Sequence, residues 1–169
     1  GAVPVSEPAK GKKGGARRAR GKSRSLSRLG AIQALYQMDL AGTGLTDLCD
    51  EFEALRLGRD VEGREIGTAD GAFFRDLVTG VVREQRVIDP QINSHLASGW
   101  QLTRLDSTLR AFLRAGAYEL RFRTDVPPRV VLDEYVELAH AFFEGEEPGV
   151  VNAVLDKIAH AGRAGEMAG

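Results

Sequence analysis

The sequence predicts an all-α fold of about seven helices in two small bundles, preceded by a disordered basic arm. Three observations predict it. Beyond residue 28, apolar residues recur at three- and four-residue intervals almost everywhere. No run alternates apolar and polar residues between turn signals, as a strand would. Residues 1–21 hold only small residues, two valines, two prolines and charges, too little apolar surface to offset the entropy of ordering. The expected units are a disordered arm over 1–23, a helical domain over 24–162 and a flexible tail over 163–169.

In chain order, Leu29, Ile32, Leu35, Tyr36 and Leu40 form the first helical stripe, ended by Gly42 and Gly44. Leu48, Phe52 and Leu55 form a shorter one behind Thr46 as N-cap, finishing at Gly58. The polar stretch RDVEGREIGTA, 59–69, is a loop. Asp70 caps a helix carrying Phe74, Leu77, Val78, Val81 and Val82, which Asp89-Pro90 should break. Pro90 then opens a short helix with Ile92 and Leu96. A long helix is expected from Thr103, with Leu105, Leu109, Phe112, Leu113, Gly116 and Leu120 on one face and Gly116 admitting a neighbouring helix. TDVPP stops it, because residues before proline leave the helical region. Val131, Tyr135, Leu138, Ala139 and Phe142 mark the next helix, and Val151, Val154, Leu155 and Ile158 the last.

Charge is strongly segregated. Residues 1–28 carry nine basic residues against Glu7 alone, net +8, while the remaining 14 basic and 23 acidic residues give −9, so the chain totals −1. This pattern suits a basic arm for a polyanion on a body that would repel one, although a solubilising tail has the same composition. GARRARGKS is not a phosphate-binding loop: Gly21-Lys22-Ser23 requires a glycine at position 16, where Ala16 stands. One cysteine, Cys49, and the scattered His95, His140 and His160 provide neither a disulfide nor a zinc set. Asp133, Glu134, Glu137, Glu144, Glu146 and Glu147 crowd one region without a nucleophile or base among them, so they read as a solvated face and no catalysis or cofactor is expected. No segment approaches the length of a membrane span and the N-terminus lacks the apolar core of a signal peptide, so a cytoplasmic location is expected. Arg17, Arg18, Arg20, Arg24 and Arg28 alternate with Ala, Gly and Ser, a composition that orders on RNA by placing guanidinium forks on phosphate and bases. Ser25 and Ser27 are candidate N-caps for the helix carrying Arg28.

The motifs RLGAIQALYQMDLAG (28–42), LRAFLRAGAYEL (109–120), DVPPRVVLDEYVELAHAFF (125–143) and EEPGVVNAVLDKIA (146–159), in this order, resemble the NusB family of transcription antitermination factors over about 24–161. The resemblance implies two three-helix bundles and a non-catalytic RNA-binding factor. It would pair with NusE, a small-subunit ribosomal protein, bind boxA RNA, and act in the RNA polymerase antitermination complex to promote read-through of ribosomal RNA operons. By motif, Arg24 and Arg28, with Arg20 and Lys22 upstream and Arg17 and Arg18 beyond, correspond to the RNA-binding arm. Asn152 is structural or RNA-adjacent. Tyr36 corresponds to a tyrosine facing NusE, and Glu146 and Glu147 to an acidic pair where RNA and partner meet. Val150 stands where relatives often carry phenylalanine, and Leu109 where others have a glutamate facing NusE. Some members form homodimers. The alternative is the NusB-like docking domain of an RNA cytosine methyltransferase, whose catalytic cysteines and Rossmann-like region have no counterpart here.

Overall fold

A computed structural model describes residues 8–42, 44–59, 63–65 and 67–168. Among them lie seven α-helices: α1 (Pro8–Ala41), α2 (Leu45–Glu51), α3 (Gly71–His95), α4 (Ser107–Phe122), α5 (Pro128–Phe142), α6 (Glu147–Gly162) and α7 (Ala164–Met167). A π-helical turn, Phe52–Arg56, follows α2, and a 3-10 turn, Leu102–Arg104, precedes α4. The all-α expectation holds, and α4 is the shared wall of its two halves. One side of α4 packs on α1 and α3, the other on α5 and α6. Ten consecutive α4 residues, 111–120, are buried, so this helix is covered all round.

Two glycines let α4 be approached so closely. A Cβ on Gly116 would lie 2.6 Å from Leu155 Cδ1 of α6, which bears out the close contact expected there. A Cβ on Gly80 of α3 would run into the Tyr118 ring. Asp70 caps α3 as expected, accepting from the Phe73 amide at 3.0 Å. Leu109, on the expected apolar stripe although other members have a partner-facing glutamate there, is buried in the core, and half-buried Val150 packs against that core.

Several boundaries differ from the sequence reading. The arm expected to be disordered through residue 23 is helical from Pro8, continuous with the stripe that begins at Leu29. No proline interrupts 9–41, and Ala, Arg and Lys propagate a helix once it is nucleated, although the glycines weaken it. Pro90 does not break α3: it costs one backbone hydrogen bond, while Ile88 and Ile92 on either side are fully buried and Asp89 is tied to Arg114. The two helices expected around it are therefore one. Helix α4 starts after Asp106, not at Thr103, because the Asp106 carboxylate accepts from the Thr108 and Leu109 amides. The tail expected to be flexible from residue 163 forms α7, with Met167 buried and Arg163 reaching the Thr124 carbonyl and the Glu166 carboxylate.

Candidate nucleic-acid and partner interface

The N-terminal part of α1 projects from the core as a row of cations. Arg18, Arg20 and Lys22 are exposed, and no ion-pair partner holds them among the described residues. The helix sets their geometry: Arg18 with Lys22, and Arg20 with Arg24, stand one turn apart. The side chain of Arg17 lies outside the described residues. Gly21, Lys22 and Ser23 belong to this helix, which also disposes of a phosphate-loop reading.

Where α1 meets the body, the character of the arginines changes. Arg24 is half-buried with its guanidinium 4.6 Å from the centre of the Phe73 ring, and its Nη1 lies 3.8 Å from Asp125. Arg123, at the end of α4, sits over the same ring at 4.8 Å and donates to both oxygens of Asp125 at 3.0 Å. Those hydrogen bonds hold the Asp125 carboxyl below the usual carboxylate range. Arg123 also donates to Asp76 at 3.1 Å. Phe73 thus joins the arm to the α4 terminus by cation–π contact, with the acids limiting repulsion between the guanidiniums.

Arg28 has a different place from the one expected of it. Only 2% exposed, it donates from Nε and Nη2 to the two oxygens of buried Glu119, at 2.9 and 2.6 Å. The buried Tyr135 hydroxyl donates to the same carboxylate at 2.9 Å. Burial pulls the Arg28 pKa down, but the hydrogen bonds and charge of Glu119 more than reverse this. Burial beside Glu119 pushes the Tyr135 phenol well up. This arginine is a buried clamp joining α1, α4 and α5. Its position four residues before Ile32 on the buried stripe was the available signal. Ser25 and Ser27 likewise do not cap their own helix. Ser25 hydrogen-bonds Glu134 of α5 at 2.7 Å, while Ser27 accepts from the Asp70 amide at 2.9 Å.

The other sequence-selected residues are spread over two further surfaces. Tyr36, on the outer side of α1, is 39% exposed, and its neighbour Leu40 is exposed too, contrary to its place in the apolar stripe. Asn152 is exposed on α6. Glu146 precedes α6 without a side-chain capping bond, and Glu147 Oε2 is buried without a hydrogen-bond partner. These three lie on or just before α6, which packs on α3, α4, α5 and α7. Sequence reasoning missed Phe73, Arg123 and Asp125, although RFRTD shows an aromatic residue between two arginines. Among the described residues no cluster fit for a metal occurs and no helix is long and apolar enough to cross a membrane.

A model of the NusB family matches residues 25–160. The chain belongs to the NusB family. The transcription antitermination protein NusB of Rhodopseudomonas palustris (strain TIE-1) is 56% identical over 144 residues, covering 85% of this chain and 83% of that protein. That of Nitrobacter hamburgensis is 57% identical over 145 residues, covering 86% and 91%. Among solved structures, T. maritima NusB superposes with a TM-score of 0.69 at 28% identity, over 86% of this chain and 96% of that one. A chain from a crystal structure of antitermination factors NusB and NusE in complex with dsRNA gives 0.68 at 28% identity, over 83% and 98%. The NusB match begins at residue 25, so the cations at 18, 20, 22 and 24 lie just before the segment the family model covers.

Proposed function

We propose that this NusB-family protein is a non-catalytic, RNA-binding transcription antitermination factor that pairs with NusE and binds boxA RNA, favouring read-through of ribosomal RNA operons. The observation that carries the reading is the row of exposed cations Arg18, Arg20 and Lys22 on α1, without ion-pair partners among the described residues and followed by Arg24 over Phe73, in a chain whose structural relative was crystallised with NusE and RNA. Arg18, Arg20, Lys22 and Arg24 are the phosphate contacts, together with Arg123; Arg17 extends the row. Arg28 acts at one remove, by fixing where the row leaves the body. Exposed Asn152 is a secondary contact on α6.

The partner surface is the outer face of α1 at Tyr36 and Leu40, an exposed aromatic and aliphatic pair well past the arm. Glu146 and Glu147 supply negative charge for a basic ribosomal protein. An aromatic at the centre of such a surface typically costs more than 1 kcal/mol when truncated. Tyr36→Ala should therefore weaken NusE binding about fivefold or more by isothermal titration calorimetry, with unchanged melting temperature. Unaltered NusE affinity in a folded Tyr36→Ala protein would remove this face from the proposal.

A further inference from the structure

Beyond the arm, an aromatic residue is held open to solvent between arginines. Phe122, the last residue of α4, is 37% exposed. Its ring stacks on Tyr118 at 5.4 Å and 24°, and the Arg121 guanidinium lies 5.6 Å from its centre. The platform is rigid beneath and adjustable above. Tyr118 is buried against Gly80 and its hydroxyl donates to Asp76 at 2.9 Å, whereas Arg121 is held by one hydrogen bond, to Gln91.

The surroundings favour an anion. Asp76, Gly80, Arg83, Val87 and Gln91 fall on one stripe of α3 at helical spacing, and Asp76, Gly80, Arg83 and Gln91 contact α4 at Tyr118, Arg121 or Arg123. Val87 on this stripe is exposed, as is Arg86, which has no ion-pair partner among the described residues. Arg121 also lacks a carboxylate partner there. Arg123, next in sequence to Phe122, shares the Phe73 ring and Asp125 with Arg24, so the platform is continuous with the arm.

We propose that single-stranded RNA bound by the arm continues past Arg123 and stacks a base on Phe122, with Arg121 closing over the base. This rests on the RNA-binding reading above and adds a stacking subsite to it. The chemistry is general: any base offers a π-face to an aromatic ring, and a guanidinium plane stacks on the other side. A basic rim with a single exposed ring suits a nucleobase strand better than a protein surface, which would need a wider apolar patch.

The test is fluorescence anisotropy of a labelled boxA RNA of about twenty nucleotides, titrated with full-length Phe122→Ala, Phe122→Tyr and an Arg18→Ala/Arg20→Ala/Lys22→Ala triple variant. Phe122→Ala should weaken binding about fivefold to a hundredfold with the salt slope unchanged, and Phe122→Tyr should restore it. Because loss of the Tyr118 stack could unfold Phe122→Ala, a Trp100→Phe/Phe122→Trp protein provides an independent readout. Its single tryptophan should be quenched when RNA is added. A folded Phe122→Ala with wild-type affinity, or no quenching of Trp at 122, overturns the subsite, while the triple variant still losing affinity leaves RNA binding by the arm intact. Loss of NusE affinity from Phe122→Ala without loss of RNA affinity would make this face a protein surface and also overturn the proposal.

Discussion

Replacing Arg28 by alanine should lower the unfolding free energy by about 3–5 kcal/mol, the cost of leaving a buried charge without its partner. Glu119 would remain at the junction of α1, α4 and α5 with only the Tyr135 hydroxyl to satisfy it. Glu119→Ala should cost somewhat less, since Arg28 keeps Glu134 3.6 Å away. The magnitude reflects the orphaned partner and not the net worth of the ion pair. A Arg28→Met/Glu119→Leu/Tyr135→Phe protein, which removes the charges and hydroxyl together, should therefore recover most of the loss. Urea unfolding monitored by circular dichroism distinguishes the cases. A single Arg28→Ala costing under about 1 kcal/mol would mean that the clamp is solvated and that Arg28 is free to reach a ligand after all.

The second large effect lies in binding. Each phosphate neutralised on a single strand contributes about 0.7 to the slope of log affinity against log salt. Arg18→Ala/Arg20→Ala/Lys22→Ala should lower the slope by about 2, and including Arg24→Ala by nearly 3. Stability should hardly change in the triple variant, since Arg18 and Arg20 are exposed without an ion-pair partner among the described residues and Lys22 only lies alongside Gly67. Arg24→Ala differs, because it also removes a ring contact with Phe73. A triple variant whose affinity falls without any change of slope would show that these residues act through the helix and not through phosphate.

The helices with strong apolar stripes were legible in the sequence, as were the Asp70 cap and the close approach at Gly116. Both are local rules with one physical solution. What was not legible depended on tertiary compensation. Pro90 reads as a stop because its cost is local, whereas the burial of Ile88 and Ile92 and the Asp89–Arg114 pair that outweigh it come from α4. Arg28 and Arg24 are the same residue type, four apart in one basic run, yet one enters the core and the other lies at its rim. The difference is made by Glu119, 91 residues further along. The arm's basic composition was plain, but not its helical register, since exposed residues 18–22 carry no apolar periodicity. At Leu109, where other members carry a partner-facing glutamate, the residue's own apolar character was the better guide, and it lies in the core.

The most direct test of the central claim is an anisotropy titration of labelled boxA RNA and a scrambled control, with wild-type and triple-variant protein, each with and without NusE. The account predicts preference for boxA, strengthened by NusE and lost with the arm cations. Equal affinity for the two RNAs, indifferent to NusE, would contradict it and reduce the arm to a nonspecific electrostatic tail.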